Sequence, residues 1–197
     1  MPTRRAGPHI AAPGPDGGLW FCEQGADGIG RLDPATYAFT EYPIPTRDCL
    51  PIGIIAGADG NLWFSEAAGN RVGRITVEGV VSEFPIPSQD SQPRAMALHP
   101  GGSIWFVQTS TNALGRVDRA GRIAEHAIPT PNASLRGVAV AADGTVWCTE
   151  NAADKFAVWH PTERCSVNMT SPPDRAAHAA SRPGPTVACS SLSTMPA

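Results

Sequence analysis

Side chains able to do chemistry are sparse in this chain of 197 residues, and their spacing is more telling than their number. The histidines stand at His9, His99, His126, His160 and His178, and no two are spaced as a catalytic pair. Cys22, Cys49, Cys148, Cys165 and Cys189 show no CxxC and no Cys/His spacing that suits zinc. The acids are more regular. Glu23, Glu66 and Glu150 each follow a Trp by three places, and Gln108 holds the fourth such position. An acid that recurs in this way reads as structural, a cross-strand partner. Asp16-Gly17, Asp59-Gly60 and Asp143-Gly144 lack the dense Asp/Asn spacing of a calcium loop. Gly30-Arg31, Gly73-Arg74 and Gly115-Arg116 offer anion chemistry but read better as exposed arginines on a strand edge.

The elements that would position these groups repeat. Trp20, Trp63, Trp105 and Trp147 lie 43, 42 and 42 residues apart, and Asp27, Asn70, Asn112 and Asp154 keep the same steps. Ile44-Pro45, Ile86-Pro87 and Ile128-Pro129 recur every 42 residues. A period near 42 is that of a propeller blade, one four-stranded β-meander per unit. Each unit reads as an apolar strand, an Asp-Gly turn of the two-residue hairpin type, a Trp strand, a Gly-Arg strand and an alternating strand closed by Pro. The Trp reads as core between neighbouring blades. The fold class expected is all-β, a β-propeller of four-stranded antiparallel blades in units of approximately 6–46, 47–88, 89–130 and 131–160. In the fourth unit Ala157-Val158 replaces Gly-Arg, and Pro, Ser and Ala dominate from 161 to 197, so a disordered or frameshifted tail is expected there.

Composition narrows the function. Gly and Pro number 20 each, a load that short strands and turns carry and helices do not. A net charge of −3 gives no surface for phosphate neutralisation, so no nucleic-acid partner is expected. No run of 18 apolar residues spans a membrane, and no apolar segment follows Arg4-Arg5 as a secretory signal would require. With an odd number of cysteines, of which Cys22 and Cys148 fall in repeat strands as small buried thiols, the expected location is the reducing cytoplasm.

The units resemble the virginiamycin B lyase family, the streptogramin lyases, through LWFSEAAGNRVGRIT, EFPIPS and their variants over roughly residues 6 to 160. The resemblance implies a seven-bladed propeller, of which this chain holds a little over half. It also implies a carbon–oxygen lyase that inactivates cyclic depsipeptide antibiotics of the streptogramin B type. Such an enzyme opens the lactone by elimination, with a His base for the α-proton and magnesium steadying the developing charge.

In that family a Pro-His at the start of a blade's first strand contacts substrate. A Glu-Pro-His in the next blade supplies the base and a metal ligand, and a second metal-binding Glu follows that blade's Trp-Phe. The matching column here, eleven residues before each Trp, holds His9, Ile52, Arg94 and Arg136. Gly7-Pro8-His9 matches the Pro-His, which makes His9 the substrate-binding candidate, and Glu23 after Trp20-Phe21 is the metal candidate. Leu50-Pro51-Ile52 carries neither Glu nor His, so no catalytic residue is assigned and the chain alone is expected to be truncated and inactive. The alternative is a non-catalytic propeller that binds or scaffolds. The partners expected are a small cyclic depsipeptide and, through exposed blade faces, other copies of the chain.

Overall fold

The computed structural model describes residues 3–160 and, as backbone alone, 165–170. Four antiparallel sheets of four strands follow one another in chain order, each a simple meander. The first holds β1 (Pro8–Pro13), β2 (Leu19–Glu23), β3 (Gly28–Leu32) and β4 (Phe39–Pro43). The second holds β5 (Pro51–Ala56), β6 (Leu62–Glu66), β7 (Arg71–Ile75) and β8 (Val81–Pro85). β9 (Pro93–Leu98), β10 (Ile104–Gln108), β11 (Ala113–Val117) and β12 (Ile123–Ala127) form the third. β13 (Leu135–Val140), β14 (Val146–Glu150), β15 (Lys155–His160) and β16 (Cys165–Thr170) form the fourth. No helix among the described residues is long and apolar enough to cross a membrane.

The repeated Trp lies where neighbouring blades meet. Trp20 is fully buried and packs in one cluster with Ile54, Leu62 and Phe64 of the next sheet. Trp63 clusters with Ile104 and Phe106, and Trp105 with Val146 and Cys148. Each ring also stacks on the outer strand of its own blade, Trp20 on Tyr42 at 5.4 Å, Trp63 on Phe84 at 5.5 Å and Trp105 on His126 at 5.3 Å between centroids. The Phe that follows the Trp faces the opposite way and lies flat over the Gly of the Gly-Arg pair. A Cβ at Gly73 would stand 2.1 Å from the Phe64 ring, and one at Gly115 equally near Phe106.

That contact explains the fourth unit. Ala157 stands opposite Cys148, the residue in the Phe position. The smaller Cys makes room for the Ala methyl, so the register is kept where the Gly-Arg text is lost. β16 pairs with β15 from His160↔Cys165 to Lys155↔Thr170 and completes the sheet beyond the boundary expected at 160. The tail expectation for 171–197 falls outside the described residues.

The hairpin turns differ from expectation. The β1–β2 loop has five residues, closed by Gly14 N donating to Gly18 O at 2.7 Å and Gly17 N to Gly14 O at 3.1 Å. Only the Gly has positive φ, +76° at Gly17 and +77° at Gly60. The Asp instead keeps ordinary backbone angles and accepts hydrogen bonds: Asp16 Oδ1 takes those of Gly18 N and of Trp20 Nε1, at 3.2 and 2.9 Å. The device is a turn followed by a left-handed glycine, with the Asp caught by the core Trp.

Candidate functional site

The innermost strands β1, β5, β9 and β13 each begin after a loop with two left-handed residues. These are Arg5 and Gly7, Asp48 and Leu50, Asp90 and Gln92, and Asn132 and Ser134, all with φ between +50° and +62°. For a non-glycine residue this conformation costs about 1–2 kcal/mol and persists only where neighbours over-determine it. The neighbours are the Asp/Asn series of the repeat. Asp27 accepts from Asp48 N and Cys49 N at 2.8 and 3.0 Å, Asn70 from Ser91 N at 2.8 Å, and Asn112 from Ala133 N at 2.9 Å. Between the two left-handed residues sits a small buried one, Ala6, Cys49, Ser91 or Ala133. Cys49 is thus a packing residue, and burial pushes its thiol pKa up, as it does for Cys22 and Cys148.

These loops place the column His9, Ile52, Arg94 and Arg136 at one rim of the sheets. His9 is exposed, and its Nδ1 lies 3.2 Å from the Ile52 carbonyl oxygen of the next blade. With Nδ1–H donating there, a neutral ring leaves Nε2 as an acceptor for a ligand. Ile52 is buried and adds only bulk. Beside it opens a cleft of about 380 Å³ lined by Leu50, Ala67, Ala68, Asp90, Gln92 and Arg94. Arg94 Nε is buried without a partner, so the guanidinium keeps donor capacity suited to a carbonyl or carboxylate oxygen. The column named Arg94, but the cleft needs the left-handed turn at Asp90 and Gln92, which no dipeptide signal announced.

Glu23 is placed elsewhere. It is buried at the end of β2, its carboxyl lying over Gly28 and Gly30 and against Glu41 of β4. Burial, then the charge of Glu41, raises its pKa to about 7. Glu41 in turn accepts from Thr3 N and Oγ1 at 3.0 and 2.6 Å, which holds its own pKa below the usual value. The second blade repeats the arrangement: burial and Glu83 raise Glu66 to about 8, while Glu83 accepts from Thr46 N at 3.1 Å. In the third, Gln108 replaces the inner acid and Glu125 accepts from Ser88 N and Oγ at 3.2 and 3.1 Å. In blades one and two the inner acid is thus a buried carboxyl set against an outer one, and the outer carboxylate holds the segment that precedes its blade. Thr3 occupies both oxygens of Glu41, which leaves Glu23 alone to face a dication, and no group of three His, Cys, Asp or Glu able to hold a metal ion occurs among the described residues. The residues present do not fit magnesium, and no step is derived through it. Glu23 stands in register with Pro8, next to His9, but the His9 ring reaches blade two while the Glu23 carboxyl meets Glu41.

Four meandering sheets arranged about their first strands, with a cleft at the rim of those strands, define a β-propeller segment. Residues 1–183 match the virginiamycin B lyase family, and the chain belongs to it. It is similar to the selenomethionine-substituted virginiamycin B lyase from Staphylococcus aureus, at 32% identity and a TM-score of 0.83 over 89% of this chain and 59% of that one. A catalytically inactive histidine-to-alanine variant of the Staphylococcus aureus lyase, with Quinupristin, matches with the same values. A streptogramin B lyase matches at 31% identity and a TM-score of 0.82, over 89% of this chain and 58% of that one. The chain thus spans about three fifths of the length of these structures. No curated protein matches.

Proposed function

We propose that these blades recognise a cyclic depsipeptide of the streptogramin B type and do not by themselves open its ring. The observation that carries this is the rim pairing of exposed His9, its Nδ1 engaged by the Ile52 carbonyl, with the Arg94 cleft. A ring of ester and amide links offers carbonyl acceptors for Arg94 and amide N–H donors for His9 Nε2. Ring opening by elimination needs a base for the α-proton and stabilisation of the charge that develops. Ile52 stands where the family resemblance places the base, and no group of three His, Cys, Asp or Glu gathers around Glu23 among the described residues. The full family activity, magnesium-assisted inactivation of the antibiotic, then belongs to blades outside these four.

Support also comes from the similar lyase variant with Quinupristin, inactive for want of one histidine. The buried free thiols Cys22, Cys49 and Cys148 accord with a cytoplasmic setting. Equilibrium dialysis against quinupristin with mass detection tests the proposal. It expects retained antibiotic of unchanged mass and weaker retention by His9→Ala.

A further inference from the structure

At the opposite end of the sheets from the His9 rim, the three first blades differ in one respect. In blade one, Asp16 joins two donors: Oδ1 accepts from Trp20 Nε1 at 2.9 Å and Oδ2 from Arg31 Nε at 2.6 Å. In blade two, Asp59 accepts from Trp63 Nε1 at 3.2 Å, while Arg74, the counterpart of Arg31, lies over the Trp63 ring at 5.5 Å. In blade three the aligned residue is Gly101, and the donors remain. Trp105 is 2% exposed and its Nε1 is buried with no partner. Arg116, the counterpart of Arg31, donates from Nε to Ser103 Oγ at 3.2 Å and makes no ion pair among the described residues.

The space beside these donors is a cavity of about 530 Å³ lined by His99, Ser103, Trp105, Arg116, His126 and Trp159. Its aromatic side is continuous, with His126 5.3 Å from Trp105 and 4.4 Å from Trp159 between ring centroids. A second groove along Arg116 adds Arg119 and Arg122 against the single acid Asp118, which pairs with Arg122 at 2.7 Å. The surroundings are therefore positive, walled on one side by rings and short of one carboxylate.

We infer that blade three binds a small aromatic carboxylate, whose anionic group takes the place that Asp16 holds in blade one and whose ring lies against His126 and Trp159. The carboxylate satisfies the indole N–H and the guanidinium, a charge-assisted arrangement that Arg favours. The wall of rings selects a planar body. This site is separate from the His9 rim and independent of the function proposed there.

Benzoate is a suitable probe, titrated into the full chain while the Trp105 indole N–H resonance is followed, assigned by its absence in Trp105→Phe. The expected result is a saturable shift with benzoate and none with benzamide, its neutral counterpart. Gly101→Asp supplies the carboxylate internally, and Arg116→Gln removes the exposed cation without touching the core. Each should weaken benzoate by roughly tenfold or more, the worth of one charge-assisted hydrogen bond. An equal response to benzamide, no saturable shift, or wild-type affinity in both variants overturns the inference.

Discussion

Asn70 Oδ1 accepts hydrogen bonds from both Ser91 N and Ser91 Oγ, at 2.8 and 2.6 Å, while its Nδ2 donates to the carbonyls of Ile86 and Ser88 at 3.3 and 2.9 Å. One side chain thereby fixes the whole linker between the second and third blades. Asn70 itself has a φ of +54°, which Asn tolerates better than most residues. Asn70→Ala should cost about 2–3 kcal/mol, since it strands partly buried linker groups and puts Ala in the left-handed region. Asn70→Asp, which keeps the acceptor as Asp27 does, should cost about half that. Denaturant unfolding of the three proteins checks the order, and an Ala variant as stable as the parent would contradict it.

The Glu66–Glu83 pair makes stability depend on pH. Glu66 titrates near 8 in the folded chain because of burial and then Glu83, against an ordinary value of 4.5. The folded state therefore holds a proton that the unfolded state has released. Its contribution is fully present below pH 4.5 and is lost as pH rises through 8. Glu66→Gln, which copies Gln108 of blade three, should remove this dependence. At pH 8 we expect it to gain roughly 1–2 kcal/mol, about 3–6 °C in thermal midpoint, with little gain at pH 5. A gain that is equal at both pH values would show that the proton is not involved.

The Phe-over-Gly contact predicts a coupling. Gly73→Ala drives a methyl into the Phe64 ring and should cost roughly 1–3 kcal/mol. Phe64→Cys opens a cavity and should cost about 3–5 kcal/mol. Combined, they reproduce the Cys148–Ala157 pair of blade four. The double variant should be more stable than the sum of the two costs by about 1 kcal/mol or more. Strict additivity in a double-mutant cycle would deny that size matching explains the fourth unit.

Ile10, Leu19, Tyr37 and Phe39 on the first blade, and Phe156 on the fourth, are large apolar side chains left exposed. We propose that these faces drive self-association of the chain. Sedimentation velocity should show mass that grows with concentration, and substitution of Leu19 and Phe39 by Ser should reduce it. A monomer at all concentrations would contradict the proposal.

The blades were legible in the sequence because their markers serve packing, and packing is periodic. The Trp, the Gly beneath the Phe and the Asn clamp each recur because every blade meets a neighbour in the same way. Glu23, Glu66 and Glu150 were legible as a recurring series for the same reason, although Glu41 and Glu83 as their neighbours were not read. Two things stayed hidden. Paired left-handed residues such as Asp90 and Gln92 have no strong residue signature when a clamp 20 residues earlier imposes the turn. Ala157 looked like a lost repeat because its compensation, Cys148, lies across the strand pair.

The central claim is that these four blades hold a streptogramin B ring without opening it. Equilibrium dialysis of the chain against quinupristin, with and without magnesium, followed by mass spectrometry of both chambers, tests retention and chemistry together. The account predicts antibiotic enriched on the protein side at unchanged mass with an intact lactone, and enrichment reduced by His9→Ala. No enrichment, or the ring-opened linear product in either chamber, would contradict it.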